Sequence, residues 1–309
     1  MAGERAGSKE RAVNFVPRGI IPAMVTPLRS DGKVSEKVLR KFVDYLIDGG
    51  SHGLFVVGTT GEFYGLSPEE KRDLYVIAVD QTKSRVPVYA GTGAITTREA
   101  VLLTRYAEEA KVDAVSVLTP MFISPSQKEL ADHYASIAAS TGLPVLLYNN
   151  PPKTGVNLTA PTVQKLADIP NVIGIKDSSG DFTLSAEYIR LTRGKDFHVL
   201  MGRDTLIYAG LCYGATGSIA ACANVAPRLV ADIYDKFIAG DLKGALEAQF
   251  TLAPLRIAFN LGTFPAVIKE SLALLGIDAG PCMQPVGQMS EEEREELRKI
   301  LTDMGLLSP

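Results

Sequence analysis

Val172-Ile-Gly-Ile-Lys176-Asp177 is a short apolar stretch that ends in a lysine. Read with period-2 alternation, Val172, Gly174 and Lys176 share one face, and Ile173 and Ile175 share the other. As a barrel strand, the run would leave space at Gly174 below Lys176. The amine would then stand at the strand's C-terminal mouth, where barrel enzymes place their chemistry. Desolvation there disfavours the charged form, so the pKa falls and the free amine becomes a nucleophile toward carbonyls. A lysine at a strand end also serves simply to solvate the boundary, so the reading of this run depends on its company.

Seven similar runs accompany it: Ile20–Thr26, Gly53–Val57, Pro87–Ala90, Asp113–Leu118, Pro144–Tyr148, His198–Met201 and Ala215–Ala221. Eight short strands alternating with helical patterns predict an α/β chain, a TIM (β/α)8 barrel. Helix starts support that register. Ser67, Thr96, Ser126 and Ser290 each stand three residues before a Glu, the spacing of a reciprocal cap, and Pro68 falls where a first-turn proline is harmless. Gly142 is the expected stop of the helix that begins near Ser126. Helical patterns near 226–239, 241–259, 263–275 and 290–304 follow the eighth strand. Only one is needed to close a barrel, so a C-terminal helical appendage is expected. The division is then a mobile arm over 1–16, a barrel over 17–238 and a helical region over 239–309. A doubly wound sheet would announce itself with Gly-x-Gly-x-x-Gly; Gly91-Thr-Gly93 begins like one, but Thr96 takes the third glycine's place.

The 309 residues are 46% hydrophobic and 22% charged with a net charge of −3, which favours neither nucleic acid nor an anionic membrane. Three cysteines (Cys212, Cys222, Cys282) fit no Cys-x-x-Cys pattern, and no apolar h-region opens the chain. A reducing, cytoplasmic setting is the expectation. His52, His133 and His198 lie too far apart in sequence to read as a metal site, so none is expected.

Three stretches at expected strand C-termini would converge on one mouth. Gly58-Thr59-Thr60-Gly61-Glu62 offers two hydroxyls beside glycine-exposed amides, a small cradle suited to a carboxylate, or else a polar turn. Tyr148 ends Pro144-Val-Leu-Leu-Tyr148 and would relay protons to an amine within reach, or tether its hydroxyl to backbone. Lys176 is the third. Cradle, relay and nucleophile together are what a Schiff-base enzyme acting on a 2-oxo acid requires.

In order and spacing, four pieces are similar to the dihydrodipicolinate synthase / N-acetylneuraminate lyase family of class I aldolases. They are Gly58-Thr-Thr-Gly-Glu62 with Leu66-Ser-Pro-Glu-Glu-Lys71, Leu147-Tyr148-Asn149-x-Pro151, Ile173-Gly-Ile-Lys176-Asp177, and Gly214-Ala-x-Gly217-Ser-Ile219 with Ala223-Asn224. The likeness covers about residues 18–307. It implies an imine between Lys176 and pyruvate or another 2-oxo acid, proton relay by Tyr148, carboxylate contacts from Thr59, Thr60 and Gly61, and the Ile219 carbonyl bordering the imine. It implies no cofactor and a homotetramer, a dimer of dimers.

Departures from the family pattern bear on the substrate. Where dipicolinate-forming members carry two tyrosines, this chain reads Met121-Phe122; the second tyrosine of that pair completes a relay from a neighbouring subunit. Lys153 stands in place of an arginine fork for the aldehyde's carboxylate. Phe63 replaces a small polar residue. Arg203 would meet a distal carboxylate and Asp204 sugar hydroxyls, or Asp204 would cap the next helix. The residues therefore favour a 2-keto-3-deoxy sugar acid or a 4-hydroxy-2-oxoglutarate-type substrate, by cleavage or dehydration. The alternative is 4-hydroxy-tetrahydrodipicolinate synthase, condensing pyruvate with aspartate semialdehyde. Farther off stand a non-catalytic 2-oxo-acid-binding barrel and a phosphate-binding barrel isomerase.

Overall fold

All eight apolar runs form strands in the computed structural model, which describes residues 15–308. In chain order the elements are β1 (Gly19–Pro22), α1 (Glu36–Asp48), β2 (Leu54–Val56), α2 (Pro68–Thr82), β3 (Val88–Gly91), α3 (Thr97–Glu109), β4 (Ala114–Leu118), α4 (Gln127–Ala139), β5 (Val145–Asn149) and α5 (Pro151–Thr154). They continue with α6 (Ala160–Leu166), β6 (Val172–Asp177), α7 (Phe182–Thr192), β7 (His198–Met201), α8 (Ile207–Tyr213) and β8 (Gly217–Ala220). Helices α9 (Pro227–Ile238), α10 (Leu242–Ala258), α11 (Ala266–Leu274) and α12 (Glu291–Asp303) follow. The strands make one sheet in the order β1-β8-β7-β6-β5-β4-β3-β2, the succession of a (β/α)8 barrel. Most of the arm expected over residues 1–16 lies outside the described residues.

Two units emerge: Pro87–Ile219 with residues 15–19, and Ile20–Val86 with residues 220–308. In the first, β3 through β8 pair in parallel, and Gly19 donates its N–H to the Thr216 carbonyl at 3.0 Å. Phe15 packs edge-on against Tyr89. In the second, Met24 donates to the Phe55 carbonyl at 2.9 Å. The Asn224 side chain clamps the chain after β1, accepting from Val25 N and donating to Ala23 O. Helix α1 buries Leu39, Phe42, Val43 and Leu46, an i, i+3, i+4, i+7 stripe, while its other face stays polar. Each such side chain contributes roughly 1.5–3 kcal/mol by leaving water.

Ser67, Ser126 and Ser290 form the reciprocal caps their spacing predicts. Thr96 caps α3 by accepting from Glu99 N, but no reciprocal bond from Glu99 completes the box. Helix α4 ends at Ala139 with Ser140 as its cap, short of Gly142. Strands β1 and β8 are shorter than their apolar runs, since Val25 bonds the Asn224 side chain and the chain turns at Cys222–Asn224. Gly174 opens no free space: a Cβ there would stand 2.3 Å from the His198 carbonyl oxygen and 2.9 Å from Leu146 Cδ2. The glycine serves a close approach of neighbouring backbone. Among the described residues, no helix is long and apolar enough to cross a membrane.

His133 on α4 is buried. Its Nδ1 lies 2.9 Å from Thr97 Oγ1, and its Nε2 has no hydrogen-bond partner. Burial pulls its pKa from 6.5 to about 4. Between those values the unfolded chain binds the proton and the folded one does not, so stability is lost as pH falls through that window. Urea unfolding at pH 7 and pH 5 should show about 1–2 kcal/mol less acid-induced loss in His133→Leu than in the parent chain. Equal losses in both would contradict this.

Candidate active site

Strands β5 and β6 start in register, Val145 beside Val172, and then slip by one. Ile173 is the extra residue, and from there Leu146 pairs with Gly174, Leu147 with Ile175, Tyr148 with Lys176 and Asn149 with Asp177. Without the bulge, Tyr148 would face Ile175. Paired residues on adjacent parallel strands project to the same side. Lys176 Nζ accordingly lies over the Tyr148 ring, 4.1 Å from its centroid. Both side chains are almost wholly buried, one residue from the C-terminal ends of their strands.

Asn150 donates from Nδ2 to Tyr148 Oη at 3.1 Å. With that lone pair occupied, the hydroxyl's own proton is directed elsewhere. Neither Asn150 nor the network behind the strands was evident from spacing. On the opposite side of the ladder, Asn149 Nδ2 donates to Asp177 Oδ1, to Asn157 Oδ1 and to Tyr188 Oη. The Asp177 carboxylate also accepts from Ser179 N, Ser179 Oγ and Ser185 Oγ. Tyr188 on α7 donates to the Leu158 carbonyl at 2.5 Å. Burial, reinforced by the Asp177 charge, pushes the Tyr188 phenol pKa up and keeps it a donor. The strand ends that carry Tyr148 and Lys176 are thereby tied to one helix.

Arg203 follows β7 and donates from Nε to the Ser178 carbonyl at 3.1 Å, with Gly180 against its guanidinium. Asp204 is buried at the start of the 3-10 turn Asp204–Leu206. Lys153 lies exposed on α5. Ile219 is buried on β8. The first unit thus brings Tyr148, Lys176 and Asn150 together and sets Arg203 against the Ser178 carbonyl in the loop after Lys176, while Lys153 donates its backbone N–H to the Asn150 carbonyl at 3.0 Å. Phe122 is 93% exposed at φ 72°.

The Thr59-Thr60-Gly61 stretch follows β2 in the second unit. Its loop is closed by Glu62 N donating to Thr59 O and by Thr26 Oγ1 donating to Gly61 O at 2.7 Å. A Cβ on Gly61 would stand 3.0 Å from the Met24 carbonyl oxygen, a tight contact that the neighbouring backbone would have to yield to. Glu62, at φ 57°, is fully buried and pairs with Lys269 on α11 at 2.6 Å. Among the described residues, no group of three or more His, Cys, Asp or Glu side chains is arranged to hold a metal.

A buried lysine and tyrosine thus meet at neighbouring strand ends of a (β/α)8 chain. The model of the dihydrodipicolinate synthetase family matches residues 16–304, and the chain belongs to that family of class I aldolases. It is 41% identical over 291 residues to the 4-hydroxy-tetrahydrodipicolinate synthase of Methanothrix thermoacetophila, covering 94% of this chain and 98% of that one. The crystal structure of the dihydrodipicolinate synthase from Aquifex aeolicus superposes with a TM-score of 0.91 at 32% identity, covering 95% of this chain and all of that one. The YagE protein from Escherichia coli K12, of the dihydrodipicolinic acid synthase family and solved in complex with pyruvate, gives 0.92 at 32% identity with the same coverage.

Asp177→Ala would strand the Ser179, Ser185 and Asn149 donors. It should lower unfolding free energy by about 2–4 kcal/mol in urea titrations. A loss below about 1 kcal/mol, the net worth of one ordinary hydrogen bond, would show that the network does not brace the strand ends.

Proposed function

We propose that Lys176 forms an imine with the C2 carbonyl of pyruvate or another 2-oxo acid and uses it for reversible aldol chemistry. The observation that carries this is the contact between Lys176 Nζ and Tyr148, with the Tyr148 hydroxyl fixed by Asn150. The neutral amine adds to C2, and Tyr148 moves protons as the carbinolamine loses water. The imine withdraws electrons so that C3 releases a proton, giving an enamine that attacks an aldehyde; the reverse sequence cleaves the same bond. The electron sink is the imine itself, so neither metal nor cofactor enters the scheme. Thr59, Thr60 and Gly61 take the substrate carboxylate in this reading, an assignment that rests on the family resemblance. Thr60 also joins the proton path. The pyruvate bound to YagE supports the choice of 2-oxo acid.

Two aldehyde partners divide the reading. The names of the relatives favour the synthase reaction with aspartate semialdehyde, and that weight comes from similarity along nearly the whole chain. The residues favour the other partner. Phe122 carries no hydroxyl to complete a relay, and Lys153 offers an exposed point charge in place of an arginine fork. Each deficit costs about 1–3 kcal/mol in discrimination, and the two need not add. We therefore place first a substrate with a hydroxyl at C4 of a 2-oxo acid, a 2-keto-3-deoxy sugar acid or 4-hydroxy-2-oxoglutarate type, with Arg203 or Asp204 reading its far end. Synthase chemistry is the second reading. A homotetramer working in the cytoplasm belongs to the same proposal, with the exposed Phe122 as a side chain a neighbouring subunit would cover.

Pyruvate release from a panel of C4-hydroxylated 2-oxo acids, run beside condensation of pyruvate with aspartate semialdehyde, decides between them. We expect the highest kcat/KM within the panel; a clearly higher value for the condensation would give the chain to the synthase reading. Arg203→Ala should raise KM selectively for panel members with a distal carboxylate. For either substrate, Lys176→Ala should abolish turnover. Tyr148→Phe keeps the ring and should cut kcat by about 10²–10⁴ with less change in KM. An unaltered kcat in Tyr148→Phe would assign the proton to another group.

A further inference from the structure

The Glu62–Lys269 pair lies outside the imine chemistry, yet both of its side chains are withdrawn from water, 0% and 3% exposed. Such a pair is a poor choice for stability alone, because desolvating two charges offsets most of their attraction. Its connections are specific. Lys269 Nζ donates to the Pro281 carbonyl at 2.7 Å as well as meeting Glu62 Oε1, and Glu62 Oε2 accepts from Met283 N at 2.5 Å. One carboxylate thus gathers α11 and the 281–283 segment onto a single loop.

That loop is Gly58-Thr59-Thr60-Gly61. It is bracketed by two non-glycine residues in the left-handed region, Val57 at φ 59° and Glu62 at φ 57°. Left-handed backbone at such residues persists only where surroundings hold it. The Glu62 backbone itself closes the loop, its N–H donating to Thr59 O and its carbonyl accepting from Gly65 N. We propose that Lys269, through Glu62, is a positioning residue for the carboxylate cradle: the buried pair fixes the backbone that aims the Thr59 and Thr60 donors. This rests on the reading of that loop as the site of the substrate carboxylate.

The test uses Glu62→Gln/Lys269→Met, which keeps both shapes and removes both charges, so the fold should survive with cooperative unfolding. The readout is the rate at which borohydride traps a Lys176 imine with two probes, pyruvate and propionaldehyde, which lacks a carboxylate. The double variant should trap pyruvate roughly tenfold or more slowly at subsaturating concentration, recover at saturation, and trap propionaldehyde within about twofold of the parent. Equal slowing of both probes, no slowing of either, or failure of the variant to fold would overturn the positioning role. A parent protein that traps no pyruvate at Lys176 overturns the imine reading beneath it, and that result appears before any variant is made.

Discussion

One extra residue in β6 sets the candidate site. Ile173 shifts the β5–β6 register by one, and that slip puts Lys176 instead of Ile175 beside Tyr148. A ladder with period 2 has no intermediate setting, so the bulge acts as a switch between an apolar pair and a reactive one. Gly174 follows it directly, where the backbone of β7 comes too near for any side chain. The local irregularity and the absent Cβ belong to one device: a strand bent to bring an amine onto an aromatic ring.

Holding that geometry falls to buried polar groups on the other side of the sheet. Asn149 and Asp177 face Tyr188 and Ser185 on α7, so the residues that alternate with Tyr148 and Lys176 are the ones fastened to the helix layer. Alternation along a strand thus divides labour, one side for chemistry and the next for support. In the other unit, a buried carboxylate again does the fastening, through Glu62 and Lys269. The Asp177 network resists displacement because movement leaves a donor or acceptor unpaired away from water.

Much of this was legible in the sequence. The eight apolar runs, the three serine caps and the C-terminal helices all follow from periodicity and end signals that act locally. Lys176 and Tyr148 stood out because each closes an apolar run. The bulge was not legible: Val172 through Lys176 reads as uninterrupted alternation, and only pairing with β5 reveals the extra residue. Asn150 carried no periodic signal. Lys269 lies in an apolar helix far along the chain from Glu62, and nothing local marks one as the other's partner. The proposed contacts to the substrate's far end are least legible of all, because what Arg203 and Asp204 do is set by what they meet.

Peptide mass mapping after borohydride reduction in the presence of pyruvate would identify the amine that bonds substrate carbon, which we propose is Lys176. A single stoichiometric adduct is expected on the peptide containing Lys176, absent when either reagent is left out. An adduct on Lys71, Lys153 or Lys269 instead, or full activity with no adduct at all, would contradict it.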